Sequence, residues 1–483
     1  MNFARDVLEA APASARGLVE LAHDGGRREW SFGELTERAG GLAGHLAKRG
    51  VGRGDVVMTL IGNRPEWVLS MLACFRLGAV VLPCTEQLRA KDLLERLRVT
   101  GPVAVVVDER NRGELEAALA GHDRDPAIVV VPDEALYAAT PPPAAELEPL
   151  DPCLITFTSG TAGAPKPVLH GQRYLSGQAL QAEHWLAPGR GELVWCTAAS
   201  GWSKSARNVF IAPWLRGAAA VVHDARFDPH ERLDLLEREQ VNVLCMAPTE
   251  YRVMAKRATL RPLPALRGLV AAGEALNPEV LRAWEESTGL QIRDGYGQTE
   301  TGQLTGMPLG GPVIPGSMGR PLPGISLRIQ DGELVADPAT VPTFFLRYLS
   351  EDLPKGPWHT GDRVREQDGY LYFEGRADDV IISSGYRIGP FEVESALVSH
   401  PAVAEAAVVA AADEERGAVV RAVVVLRDGY APSEDLAREL QAHTRAETAP
   451  YKYPRIVEFA PDLPKTASGK IQRARLRDGG PRG

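Results

Sequence analysis

Residues 56–84 read VVMTLIGNRPEWVLSMLACFRLGAVVLPC. Two short apolar runs rich in β-branched residues, VVMTL (56–60) and AVVLPC (79–84), flank a helical stretch, PEWVLSMLACFRLG (65–78). Working outward, the alternation continues. VAVVVD (103–108), AIVVVP (127–132), LVWCTA (193–198), AAAVVH (218–223) and VNVLCMAP (241–248) are further strand candidates. Between the last two lies DPHERLDLLEREQ (228–240), with apolar residues near helical spacing, a charged face, and Asp228-Pro229 at its start. Near-continuous apolar strands that alternate with helices predict an α/β fold with largely parallel sheets, because strands covered on both faces lose their polar alternation. The Pro-rich run PPPAAELEPLDP (141–152) reads as an exposed connector.

After about residue 310 the texture changes. Gly and Pro become dense in LGGPVIPGSMGRPLPG (309–324), and DGYLYFEG (368–375) reads as the second arm of a hairpin. Beyond Asp378 the pattern is one helix (390–399), two apolar strands (402–411 and 418–426), a second helix (433–447) and a basic terminal segment. At roughly 105 residues this block is the size of a small α+β domain. The charged GRADD stretch marks the boundary, giving a large domain over 1–377 and a small one over 378–483. The chain shows no internal repeat and no low-complexity segment.

The chain has 483 residues, 44% hydrophobic and 24% charged, enough to bury a large core without disulfides or metal. No apolar run approaches the roughly 18–20 residues that span a bilayer. Met1–Gly17 carries Arg5, Asp6 and Glu9 without an apolar stretch, so it does not read as a secretory signal. Cys74, Cys84, Cys153, Cys196 and Cys245 are widely spaced and form no CxxC pair. They read as buried thiols in a reducing cytoplasm rather than as zinc ligands or a disulfide framework. The net charge of −9 argues against nucleic acid as a partner, so an anionic ligand needs a locally built cationic site.

Four segments carry candidate chemistry. ITFTSGTAGAPKP (155–167) leads a β-rich run into Thr, Ser and Gly and ends on Pro165-Lys166. Small residues let backbone N–H groups approach a phosphate chain, and hydroxyls and one lysine complete an anion site. Position 165 is proline, so this is not a Walker A loop; taken alone, such a loop is more often a surface turn. In DGYGQTETG (294–302) the third glycine of a dinucleotide-binding turn is replaced by Glu300, which repels phosphate unless Mg²⁺ lies between them. In WHTGDRVREQDGYLYFEGRADDVIISSGYRIGPFEVE (358–394), Asp362 is placed to accept from a ribose diol, and Arg376 and Arg387 to reach phosphates. The ending PKTASGKIQRARLR (464–477) holds five cations and no acid, with Lys470 after a small Ser-Gly pair; alone it reads as a loose basic tail.

Together, TSGTAGAPK, YGQTE, TGD, GRADD and PKTASGK, in this order and over nearly the whole chain, resemble the adenylate-forming superfamily of acyl-CoA synthetases, adenylation domains and luciferases. WCTAASGWSKSA (195–206), GEALNPEV (273–280) and SSGYRIGPFEVESAL (383–397) are most similar to the medium-chain and aromatic acyl-CoA synthetases. The resemblance implies a large domain of packed α/β subdomains, a small mobile domain, and an active site between them. It implies that Thr158, Ser159, Gly160, Thr161, Gly163 and Lys166 hold the β- and γ-phosphates of ATP. Glu300 becomes the Mg²⁺ ligand and Thr299 an α-phosphate contact. Gly273, Glu274 and Ala275 form the adenine wall, with Asp294 and Gly295 leading into Tyr296, which packs on adenine. Asp362 and Arg376 become ribose contacts, Arg387 a cation near the phosphates, Asp378 the hinge, Lys470 the catalytic lysine, and Trp202 and Arg207 part of the acid pocket.

The implied reaction has two halves. A carboxylate attacks the α-phosphorus of Mg·ATP to give acyl-AMP and pyrophosphate, and the CoA thiol then takes the acyl group. Ala162 stands where a hydroxyl is usual, Ala199 where Asp is common, Ile382 where Asn is common, and Arg207 where an apolar residue is common. These departures leave open which acid is bound. They also leave open whether the acceptor is CoA, a carrier-protein thiol or an amine, and whether the acid is a small inorganic one such as nitrite. If Lys470 stabilises charge in the first half only, Lys470→Ala lowers pyrophosphate release about 10²–10³-fold. Transfer from preformed acyl-AMP to CoA then stays near the wild-type rate. Equal losses in both halves would refute that role.

Overall fold

The computed structural model describes residues 1–158, 165–273, 276, 278–351, 355–377, 379–383, 386–413, 416–449, 451–465 and 471–477. The strand–helix–strand unit forms as its pattern predicts. Val56–Leu60 and Val80–Cys84 are parallel neighbours, in register from Val56 beside Val80 to Leu60 beside Cys84, and Pro65–Leu77 crosses between them. Pro65 occupies the first turn, where its missing N–H is no loss. Every residue from Trp67 to Phe75 is buried, as expected of a helix that is apolar on all sides and lies between layers.

This pair belongs to a seven-stranded sheet ordered Arg347–Tyr348, Pro167–Gly171, Pro152–Phe157, Val80–Cys84, Val56–Leu60, Ala104–Asp108 and Ala127–Val131. A nine-stranded sheet is ordered Arg320–Pro321, Gly302–Gly306, Ile292–Gln298, Gly268–Ala272, Val243–Met246, Leu193–Cys196, Ala219–His223, Arg16–Leu21 and Arg27–Ser31. Its inner neighbours from Ile292–Gln298 to Arg16–Leu21 are parallel, and the outer pairings are antiparallel. One continuous core, containing Trp67, Phe75, Trp185 and Phe210, joins the two sheets. The strand expected over 241–248 is trimmed to Val243–Met246, because Pro248 opens the helix Pro248–Arg257.

The 141–152 run is less free than its composition predicts. Leu147 is buried, Asn2 Nδ2 donates to Ala145 O at 3.0 Å, and Arg76 Nε donates to Pro142 O at 2.7 Å. These bonds strap the segment to the helices beside it.

A four-stranded sheet follows, built from Leu327–Gln330, Glu333–Ala336, Trp358–Gln367 and Tyr370–Arg376. Its last two strands are the expected hairpin. In the smaller C-terminal domain the helices Pro390–Val398 and Glu434–Glu447 share an apolar cluster with a sheet of Val403–Asp413, Gly417–Leu426 and Ile456–Phe459. Ile456–Phe459 was not anticipated; four residues of mixed polarity give no periodic signal. Part of the basic ending is anchored. Arg473–Arg477 forms a short helix, with Arg473 Nη2 at 2.7 Å from Glu394 Oε2 and Arg477 paired with Asp379. Among the described residues no helix is long and apolar enough to cross a membrane.

The core sets the sign of two glycine substitutions. In the helix Phe32–Lys48 a Cβ on Gly41 would overlap the Tyr137 carbonyl, whereas a Cβ on Gly113, in the helix Arg112–Leu119, meets nothing within 4 Å. Gly41→Ala is expected to lower stability by about 1–3 kcal/mol. Gly113→Ala is expected to raise it by up to about 1 kcal/mol. Urea unfolding of the two variants checks this, and equal shifts would contradict the packing described.

Candidate active site

The site residues gather at the carboxyl ends of parallel strands from both large sheets, where open α/β sheets place their ligands. Pro152–Phe157 delivers Thr158, Gly268–Ala272 delivers Gly273, and Ile292–Gln298 delivers Thr299 and Glu300. Along Ile292–Gln298 side chains alternate. Arg293 bonds to the Trp185 carbonyl on one face, while Tyr296 and Gln298 point the other way. The strand then turns sharply; a Cβ on Gly297 would overlap the Gly302 carbonyl, so only glycine lets the returning strand approach so closely.

Asp362 is the meeting point on that face. It is 4% exposed. Tyr296 OH donates to its Oδ2, Gln298 Nε2 donates to the same oxygen at 2.8 Å, and Arg376 Nη1 stands 3.4 Å from its Oδ1. Gln298 is itself oriented, donating to Thr360 O at 2.7 Å and accepting from Trp358 Nε1 at 3.0 Å. Asp362 and Arg376 are direct partners across the hairpin, so sheet register brings the anion and the cation together. Burial, then the Asp362 charge, holds the Tyr296 hydroxyl well above the usual phenol range, so it remains a donor. Asp294, on the same strand, has its carboxyl raised by burial, with the Gly295 N–H as a partner at 2.8 Å.

A second group forms around Glu300. Tyr348 OH donates to Glu300 Oε1 at 2.8 Å, and Phe345 N–H donates to Glu300 O at 2.9 Å. Tyr348 is delivered by the two-residue strand Arg347–Tyr348, which pairs with Val168 and Leu169 at the edge of the other sheet. Lys166 Nζ lies 5.2 Å from the centre of the Tyr348 ring and 3.0 Å from Glu351 Oε2. Thr158 N–H donates to Lys166 O at 3.0 Å, and Lys166 N–H donates to Thr158 Oγ1 at 2.9 Å. These two bonds close the neck of the segment 159–164. The Arg376 charge acts on both Tyr296 and Tyr348, so the two groups are neighbours.

The third group is the stretch after the half-buried Trp202. Were it helical, Lys204 and Arg207 would share a face. They do not, because the regular helix begins only after Lys204 and widens over Arg207–Ile211. Lys204 Nζ donates to Ala272 O at 3.1 Å, beside Gly273, whereas Arg207 turns inward and is buried. The His170 ring packs near Arg207 and against the backbone of Thr299.

Of the expected residues, Tyr296, Asp362 and Arg376 form one group, Glu300 and Lys166 meet at Tyr348 with Thr158 bonded to Lys166, Gly273, Asp294, Gly295 and Thr299 lie on or just past neighbouring strands, and Lys204 links the Trp202–Arg207 stretch to the strand before Gly273. Ser159, Gly160, Thr161, Gly163, Glu274, Ala275, Asp378 and Lys470 lie outside the described residues, as does the side chain of Arg387. Reading the sequence missed Tyr348, Glu351, Gln298 and His170. Gln298 sits inside the YGQTE motif and was legible there. Tyr348 and His170 lie in apolar strands with no spacing signal.

The family of the chain is shown by comparison with known proteins. The AMP-binding enzyme family matches residues 8–342, and the AMP-binding enzyme C-terminal domain matches residues 392–470. The chain belongs to this family. It is 38% identical to the uncharacterized acyl-CoA ligase YtcI of Bacillus subtilis, over 99% of this chain and 95% of that one. It is 39% identical to the human mitochondrial acyl-coenzyme A synthetase ACSM4, over 99% of this chain and 90% of the relative. Among solved structures it is similar to a benzoate CoA ligase from Burkholderia xenovorans, with a TM-score of 0.88, 28% identity, and coverage of 99% and 100% of the two chains.

The Glu300 site fits Mg²⁺. It offers one hard carboxylate, held by Tyr348 beside the cationic Lys166, and Mg²⁺ is commonly held by one or two carboxylates with the remaining positions left to phosphate and water. Glu300→Gln keeps an acceptor for Tyr348 but removes the charge. It is expected to raise the KM for ATP about tenfold or more, with partial recovery at raised Mg²⁺. Steady-state pyrophosphate release across a Mg²⁺ series checks this; a normal KM at every Mg²⁺ concentration would leave Glu300 a mere turn residue.

Proposed function

We propose that the protein is an AMP-forming acid:CoA ligase. It activates a carboxylic acid on ATP as acyl-AMP, releases pyrophosphate, and passes the acyl group to the CoA thiol. One observation carries this reading: an oriented carboxylate, Asp362, and a tethered acid–cation group, Glu300 with Lys166, are neighbours in a chain of the AMP-binding family.

In this reading Asp362 and Arg376 receive the ribose hydroxyls. Asp362 Oδ2 is already held by Tyr296 and Gln298, so the carboxylate needs no reorientation when the nucleotide arrives. Tyr296 offers its ring to adenine, against Gly273 with Glu274 and Ala275. The neck closed by Thr158 and Lys166 presents Ser159, Gly160, Thr161 and Gly163 to the β- and γ-phosphates. Lys166 exchanges Glu351 for phosphate. Thr299 contacts the α-phosphate. Mg²⁺ on Glu300 would neutralise phosphate charge as the pyrophosphate leaves. Lys470 supplies positive charge at the reacting phosphorus, and Arg387 a further cation. No protein nucleophile is required, because acyl-AMP is itself the activated species.

The two halves need different partners for the same carbonyl, so the small domain reorients about Asp378. Asp379 supports this pivot. It is paired with Arg473 and Arg477, and Arg473 is also paired with Glu394. In this reading Asp379 travels with the small domain over 378–483, about a pivot at Asp378 at the end of a large domain over 1–377. CoA is assigned as acceptor because both curated relatives are named as acyl-CoA ligase or synthetase. The five buried, unpaired cysteines suit a reducing compartment, and we assign the cytoplasm.

The test is a panel of carboxylic acids assayed for pyrophosphate release with and without CoA, with loss of free thiol followed in parallel. AMP and thioester should appear one for one, at a turnover raised by CoA. Pyrophosphate release with no loss of thiol would transfer the reading to a carrier-protein or amine acceptor.

A further inference from the structure

The wall behind Thr299 holds a charge that the protein does not answer. Arg207 is 4% exposed, and neither its Nε nor its Nη1 has a hydrogen-bond partner. Among the described residues, the ionisable groups that feel its charge are His170, Tyr174, whose hydroxyl is also its hydrogen-bond partner, and Cys245, and none of these is a carboxylate. All three are neutral near pH 7. Burial, then the Arg207 and Arg173 charges, holds the His170 imidazole down to about 3, and burial raises Tyr174. The Cys196 sulfur, then burial, raises Cys245. A guanidinium kept from water without an anion is strongly unfavourable, so something must meet it when the site is filled.

The surrounding polar atoms are also unmatched. His170 lacks a partner at both ring nitrogens, Gln178 at both side-chain polar atoms, and Gln181 and Gln303 at Oε1. They form one group. Tyr174 lies beside both Arg207 and Gln178, and Gln181 Nε2 donates to Asn208 Oδ1 at 2.9 Å. An alkyl chain would leave every one of these groups dry and unpaired, each at a cost.

The group's position is informative. His170 packs against the backbone of Thr299, and Lys204, three residues before Arg207, reaches the carbonyl of Ala272 beside Gly273. The unmatched cation therefore neighbours His170, which in turn meets the backbone of Thr299, the expected α-phosphate contact. An acid bridging the two points must be short, and its far end must be able to meet a guanidinium.

We propose that Arg207, with His170 and Gln178 beside it, binds a second carboxylate at the far end of a short acid substrate, so that the enzyme selects short dicarboxylic acids over alkanoic acids of equal length. The proposal rests on the adenylation reading above. Arg207 acts here on specificity and not on the chemical step. Its charge attracts the distal carboxylate, while the neutral His170 and the Gln178 amide are placed to donate to it.

The experiment measures pyrophosphate release for succinate, glutarate and adipate against butanoate, pentanoate, hexanoate and octanoate. In the wild-type protein the best dicarboxylate should exceed its length-matched alkanoate in kcat/KM at least about tenfold, because a buried polar site rejects a ligand that leaves it unpaired. Arg207→Met should invert that ratio with the KM for ATP unchanged, and Arg207→Lys should restore part of it. Preference of the wild-type protein for octanoate or pentanoate overturns the proposal without any variant and leaves the adenylation reading intact. A rise in the KM for ATP in Arg207→Met, equal for every acid, also overturns it by making Arg207 a phosphate contact. No pyrophosphate release with any carboxylic acid overturns both readings together.

Discussion

A buried carboxylate in a mixed protein is stable only when its oxygens are occupied, and the site is arranged around meeting that demand at Asp362. Tyr296 and Gln298 arrive from a strand of the nine-stranded sheet, while Asp362 and Arg376 face each other across a hairpin of the four-stranded sheet. The bonds are local, yet they fix how two independently built sheets meet. Charge-assisted bonds contribute about 1.5–3 kcal/mol each, so the group is a substantial clamp at a junction where apolar area is limited. The same clamp leaves Asp362 oriented before any ligand binds. Structure and function thus depend on one constraint, the need to satisfy one carboxylate.

The Glu300 side of the site is organised differently. Its acid is half-buried and its lysine exposed, though Tyr348 between them is buried, and their contacts run between two sheet edges rather than within one. Exposed ion pairs such as Lys166–Glu351 contribute little to stability, about 0–1 kcal/mol. They are therefore inexpensive to exchange, which is what a phosphate-binding cation requires. A rigid Asp362 side and an exchangeable Lys166 side follow from burial alone: the first is enclosed by sheet packing and the second borders open solvent.

Most of the fold was legible because its parallel strands are buried on both faces, which writes them into the sequence as unbroken apolar runs. The strands lost to the reading show the converse. Ile456–Phe459 and Arg347–Tyr348 are too short to show a period, and the second is decisive, because it carries Tyr348 to Glu300. The 141–152 strap was misread as free because its contacts are made by backbone carbonyls, which composition does not report. Within the site, Glu300, Asp362, Arg376 and Lys166 were legible as chemistry-bearing residues in motifs with small neighbours. Their partners Gln298, Tyr348 and Glu351 were not singled out, since a supporting residue is defined by where its side chain ends rather than by its type. Arg207 was legible as an oddity, a cation in an apolar stretch, but the helix expected to place it beside Lys204 does not start early enough.

The contrast between Asp362 and Arg207 separates two kinds of buried charge. Asp362 has its partners in the protein, and a ligand adds to a group already satisfied. Arg207 has neutral neighbours and unmatched nitrogens, so its satisfaction is left to something that comes and goes. The first arrangement suits a substrate common to every turnover, since a fixed carboxylate can be shared by any reaction that uses a nucleotide. The second suits the variable substrate. A charge left unanswered makes the filled state more favourable than the empty one only for a ligand of opposite charge, and unfavourable for all others. On the proposed reading the nucleotide machinery is built from internal pairs, and discrimination among acids from a pair left half complete.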